Sequence, residues 1–268
     1  TTNYHIMKIR IKSKTTMSLV VAFAASACLG SAQAAWVAYH DMGGVTGDSN
    51  ANFVTYHQLA AAETSTDPLD TSAKSLLIYN DGTDTGVDLT IADANGMDNR
   101  AGTTAPPASS TPAGDLFLTA GLDLSTGTIR EGGSNGSGLT TYTLTGLDAN
   151  ELYDLAFYGH RDTTNDGAEE FILGGADSAT NAASGGIINV TTTQLDIRNS
   201  ASTGKLIRWT DINPGDDGTI TVTMNPEFTN NSNILYISAM RLEEQVPEPS
   251  TTALLGLGGL ALILRRRK

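Results

Sequence analysis

Apolar residues in the middle of the chain alternate with polar ones in short runs. Val87, Leu89 and Ile91 fall on one side of a run whose other side holds Asp88 and Thr90. Ile220, Val222 and Met224 alternate with Thr219, Thr221 and Thr223, and Tyr142 and Leu144 with Thr141, Thr143 and Thr145. A period of two with threonine on the wet side is the pattern of antiparallel strands that bury one face. The same reading predicts strands over 36–41, 75–80, 116–120, 152–160, 171–174, 187–192, 206–212 and 235–242, with Asn, Asp and Gly between them. About a dozen short strands so spaced predict an all-β fold, an antiparallel β-sandwich or jelly roll. Residues 52–63 also suit a short helix, through Phe53, Tyr56, His57 and Ala60. Residues 103–114, with Pro106, Pro107 and Pro112, read as a surface loop, and Asp216-Asp217-Gly218 as a hairpin turn. No tandem repeat or second linker interrupts this stretch, so one domain is expected over 35–244.

The two ends break the pattern. Lys8, Arg10, Lys12 and Lys14 precede an apolar run of about 14 residues over 17–30, and Ala32-Gln33-Ala34 follows it. This predicts a signal peptide over 1–34, with residues 1–6 as an extension upstream of Met7, cut by signal peptidase before Ala35. Cys28 is the single cysteine and lies inside that run, so the mature domain is expected to have no thiol. At the other end Val246-Pro247-Glu248-Pro249 leads into an apolar stretch over 251–264, closed by Arg265, Arg266, Arg267 and Lys268. The prolines separate it from the domain, and the terminal cations stop transfer on the cytoplasmic side, leaving the domain outside. About 14 residues at ~1.5 Å rise span only ~21 Å of a ~30 Å hydrocarbon core, which predicts a short transmembrane helix suited to temporary retention.

The order of these three parts, a Pro247-Glu248-Pro249 triplet, a short glycine-containing apolar segment and a basic end, resembles a PEP-CTERM sorting signal. The resemblance covers 246–268 and implies an exosortase-type processing protease as partner. It further implies a transient inner-membrane intermediate and delivery to the cell surface or extracellular matrix of a Gram-negative-type bacterium. The Leu-Pro-x-Thr-Gly pattern of a sortase tail is absent, and terminal cations disagree with a GPI signal. A second resemblance lies in the domain. Residues 144–155, with Gly146-Leu147 followed by Tyr153, then 207–214 and 236–242, are similar to jelly-roll modules found beside sorting tails. Some of those modules are related to carbohydrate-binding domains, which speaks to fold more than to ligand.

Charge narrows the partners. Eight of the 16 Lys and Arg sit in the two terminal clusters, while 28 of the 29 acids lie in 35–244, a balance there of 8 − 28 = −20. Such a surface repels phosphate backbones, so no nucleic-acid partner is expected.

Candidate chemistry is sparse. In the predicted 152–160 strand, Tyr153, Leu155 and Phe157 form the core side, leaving Asp154, Ala156, Tyr158 and His160 opposite. Tyr158, His160, Arg161 and Trp209 are the candidate ligand-binding residues. Rings would stack on the C–H faces of a sugar while the polar groups bond its hydroxyls. The plainer reading buries Trp209 and pairs Arg161 with a carboxylate. No cofactor is required. Calcium is the one candidate metal, with oxygens from Asp162, Thr164 and Asp166, although Leu173 stands where an EF-hand needs glutamate. A solvated acidic loop is the competing reading. The Gly-x-Ser-x-Gly match at Gly132-Gly133-Ser134-Asn135-Gly136 falls in a glycine-rich stretch that reads as a flexible loop, and His40, His57 and His160 lack zinc spacing, so no catalytic residue is assigned. The expected function is that of an exported, non-enzymatic surface or matrix protein that binds polysaccharide. The alternatives are a structural matrix protein without a ligand, favoured if Trp36 and Trp209 are both buried, and a secreted glycan-active hydrolase.

Overall fold

The structure, a computed structural model, describes residues 36–42, 52–55, 72–93, 98–103, 106–122, 124, 126–131, 139–159, 168–196, 203–227 and 235–245. One compact unit spans Ala34–Val246. The other, 1–33 with 247–268, lies outside the described residues, as do both predicted membrane segments. Among the described residues no helix is long and apolar enough to cross a membrane.

With strands numbered in chain order, two six-stranded sheets carry the domain. The first runs β10 (Ser178–Asn181), β12 (Ile207–Asn213), β8 (Leu152–Tyr158), β15 (Ala239–Gln245), β1 (Trp36–Asp41) and β2 (Val54–Thr55). The second runs β11 (Thr192–Asp196), β9 (Ala168–Gly174), β13 (Ile220–Glu227), β7 (Thr140–Thr145), β4 (Asp84–Asp93) and β3 (Lys74–Leu77). A three-stranded sheet joins β14 (Leu235–Ile237), β6 (Thr126–Glu131) and β5 (Asp98–Thr103). Neighbours are antiparallel except β1 and β2, which are parallel. From β7 to β13 each strand lies in the sheet opposite its predecessor, the alternation of a jelly roll. The all-β sandwich read from the sequence is therefore the fold.

The alternating runs supply the core between the sheets. Val87, Leu89, Ile91, Tyr142, Leu144, Ile220, Val222 and Met224 project from the second sheet onto Tyr153, Leu155, Phe157, Trp209, Met240 and Leu242 of the first. Removing this apolar surface from water is the main stabilising term.

The first sheet is also covered on its outer side. Residues 111–124 form a strap there: helix α1 (Pro112–Phe117), a 3-10 turn (Leu118–Ala120), then Leu122 and Leu124. The strand expected over 116–120 is thus corrected. Thr111 accepts from the Gly114 N–H at 3.1 Å, Pro112 fits the first helical turn, and Gly121 ends the turn at φ 86°. Ala113, Phe117 and Ala120 then recur at helical spacing, all buried against Tyr39, Ala156, Tyr158 and Ala239. Phe117 and Tyr158 rings lie 6.4 Å apart, and the Tyr79 hydroxyl fastens the strap by donating to the Ala120 carbonyl at 2.7 Å.

Three further expectations change. The run over 187–192 is a turn until Thr192, because the Asn189 side-chain oxygen accepts from the Thr191 and Thr192 N–H groups and bends the chain. Ile187, Ile188 and Val190 stay exposed on that turn. Residues 235–242 divide at Ser238 into β14 and β15, which belong to different sheets. The turn at Asp216-Asp217-Gly218 carries the chain from the first sheet to the second, so it is not a hairpin. Gly218 has φ 60° there, and a Cβ would stand 2.3 Å from the Leu147 carbonyl oxygen, so only glycine fits. Of 52–63, only β2 and the two residues before it are described.

His40 on β1 faces the inter-sheet core and is fully buried, and that desolvation pushes its pKa down to about 3. Its folded pKa lies below its unfolded value, so the unfolded state binds more protons between these two values. Stability should accordingly fall as pH drops from about 6.5 towards 3, with a slope approaching about 1.4 kcal/mol per pH unit from this group. Urea unfolding at pH 7 and pH 5 checks this: the loss should be smaller in His40→Gln, and an equal loss in both proteins would contradict it.

Candidate functional site

Beyond the edge of the strap, the outer side of the first sheet turns polar. Asp154, the one charged residue of β8, is buried and receives three donors. The Arg208 Nη2 donates to its Oδ2 at 2.7 Å, the Asp211 N–H to Oδ1 at 3.4 Å, and the Gln245 Nε2 also to Oδ1. The Asp211 donor comes from a local distortion. The β12–β8 register shifts between Trp209 and Ile212, and Asp211 takes φ 53°, which turns its backbone towards β8. Asp154 therefore ties β12 to β8 and β8 to the last residue of β15.

The row continues across the sheet. Arg241 on β15 pairs with Glu243 at 2.6 Å, donates from Nε to the Tyr39 hydroxyl at 3.3 Å, and lies 5.8 Å from the Tyr39 ring centroid. Burial pushes the Tyr39 hydroxyl pKa up, with Arg241 working against it, and the hydroxyl donates to the Leu116 carbonyl of the strap.

A second group surrounds the end of β15. Trp36 pairs with Glu244, and the Trp36 and Tyr153 rings meet at 6.1 Å. The Tyr153 hydroxyl donates to Glu244 Oε2 at 3.3 Å and accepts from the Asp148 N–H at 2.8 Å. Burial pushes Tyr153 up to about 12. Burial also raises Glu244, which the bonds from Trp36 and Tyr153 partly offset and the Glu151 and Asp148 charges add to. These donors and acceptors are turned on one another, and the arrangement acts as a fastening for the last strand.

The expected ligand face is corrected. Tyr158 is fully buried beneath Phe117, and Trp209 is fully buried between the sheets with its Nε1 donating to the Val190 carbonyl at 3.1 Å. Neither ring is available to a sugar, because α1 and the second sheet occupy the two sides of the first. Trp36 is half-buried. His160 and Arg161 lie outside the described residues, as do Asp162, Thr164 and Asp166, and among the described residues no group of acids or histidines is placed to hold a metal. The cleavage residues Ala32, Ala34 and Ala35, the motif Val246, Pro247, Glu248 and Pro249, and the tail Arg265, Arg266, Arg267 and Lys268 also lie outside them. Asp154 was not among the sequence candidates. The signal for it was present, a lone carboxylate in an otherwise apolar strand.

Comparison with known proteins identifies the tail. A family model described as the PEP-CTERM protein-sorting motif matches residues 245–268. The chain thus carries the signal of an exported protein sorted by exosortase to the cell surface. No curated protein sequence matches the chain. Among solved structures, it aligns with the enzymatically active domain of bacteriophage CBA120 tailspike protein 4 at 10% identity and a TM-score of 0.28. That alignment covers 60% of this chain and 20% of the other, and a likeness so low carries no argument.

Arg208 is the charged partner that neutralises Asp154, so Arg208→Ala should leave a buried carboxylate short of a cation. Because the Arg208 side chain is itself 34% exposed, the cost should be about 2 kcal/mol, below that of a fully buried pair. Urea denaturation measures it, and an unchanged midpoint would contradict the role given to the pair.

Proposed function

We propose that this chain is a non-enzymatic structural component of the cell surface or extracellular matrix, delivered through its sorting tail. The observation that carries this reading is that the strap covers Tyr158 and the second sheet covers Trp209, which takes both rings out of reach of a ligand, with Trp36 half-buried. A polysaccharide binder of the expected kind needs those rings exposed. A jelly roll faced by a strap instead offers a compact acidic body, soluble and self-contained once released. In this reading signal peptidase acts after Ala34, the 251–264 segment holds an inner-membrane intermediate, and an exosortase acts at the Pro247 region. No cofactor enters.

Intact mass and fractionation from the native host test it, together with tryptophan emission titrated with the host polysaccharide. The mature protein should lack everything after roughly the Pro247 region, occur in the surface or matrix fraction, and show unchanged emission. A full-length chain embedded in the inner membrane would overturn the sorting reading. Saturable quenching would return the polysaccharide binder to first place.

A further inference from the structure

The family match begins at Gln245, and Gln245 is also the last residue of β15. The sorting signal and the sandwich therefore share a residue. β15 is an interior strand, paired with β1 through Trp36↔Glu244 and with β8 through Gln245↔Leu152. Its end is fixed from the side as well, by the Gln245 amide donating to Asp154, whose charge Arg208 balances.

A peptidase takes its substrate as an extended segment whose main-chain groups pair with the enzyme. Residues up to Gln245 already have those groups engaged in the sheet. In sequence, the five residues 246–250 come between Gln245 and the apolar segment at 251–264, and they include Pro247-Glu248-Pro249. We propose that Asp154 is a positioning residue for removal of the tail: by holding Gln245 in β15 it keeps that strand closed to the processing enzyme, which then cuts at one place beyond Gln245. The proposal rests on the sorting reading and adds to it a role for a residue 91 positions upstream. Cutting the peptide bond passes its acyl group to water and releases the tail with a free amine, and Asp154 touches none of the reacting atoms.

The test uses the full chain in its native host, with the C-termini of the released product read by mass. Wild type should give a single terminus beyond Gln245. Gln245→Glu replaces the donor by a charge facing Asp154 and should spread the termini, including bonds at or before residue 245. Hydrogen exchange of the 239–245 peptide in the released domain should quicken about tenfold or more, the effect of losing one hydrogen bond to a charged group. Gln245→Lys keeps a donor and should keep the single terminus. Asp154→Ala leaves the matched segment untouched and should reproduce the spread seen with Gln245→Glu. If only Gln245→Glu spreads the termini, the effect belongs to motif recognition and the positioning role is refuted. An unchanged single terminus in both variants refutes it as well. If wild type keeps its tail, the sorting reading fails and the proposal with it.

Discussion

The structure depends on one pairing, that of β15 between β8 and β1. β1 is the first strand of the domain and β15 the last, so the first sheet joins residues some 200 positions apart in sequence, as the Tyr39–Arg241 contact illustrates. Among the described residues, β15 is what joins the β10-β12-β8 group to the β1-β2 pair in that sheet. Long-range pairing is costly to close and comes late in folding. For a chain that emerges from its N-terminus across a membrane, the sandwich is completed only when the segment adjoining the sorting tail has come through. The tail then follows directly from a strand that is already locked on both sides.

The second determinant is the strap. A sheet in a plain sandwich buries one face, and its strands alternate. β8 instead is buried almost throughout, because the second sheet covers Tyr153, Leu155 and Phe157 while α1 and its 3-10 turn cover Ala156 and Tyr158. Where the strap stops, the outer face becomes a row of paired charges, with Asp154, Arg208, Arg241 and Glu243 each engaged. The apolar and polar parts of that face serve the same end, fixing the sheet's outer side.

Much of this was legible in the chain. The alternating runs at 87–91, 141–145 and 219–224 read correctly because each buries one face and wets the other, the condition under which a period of two appears. The sorting tail was legible because its three parts are contiguous. The strap was missed because Leu116, Phe117 and Leu118 look like a strand when the Thr111-Pro112 helix start is read as loop. Tyr158 was placed on a ligand face for a related reason, while the plainer reading, a buried Trp209, is the one observed. Alternation tells which residues share a face, and it does not tell whether another element lies on that face. The Asp154 fastening brings together residues from β8, β12 and β15, a tertiary fact that spacing along the chain does not encode.

The most direct measurement compares two lengths of the mature domain, one ending at Gln245 and one ending at Ser238. Cooperative urea unfolding and the emission of the buried Trp209 report on each. A folded domain with buried tryptophan is expected for residues 35–245, and neither a cooperative transition nor buried emission for residues 35–238. A shorter chain that unfolds cooperatively at a similar urea concentration would contradict the central place given to the last strand.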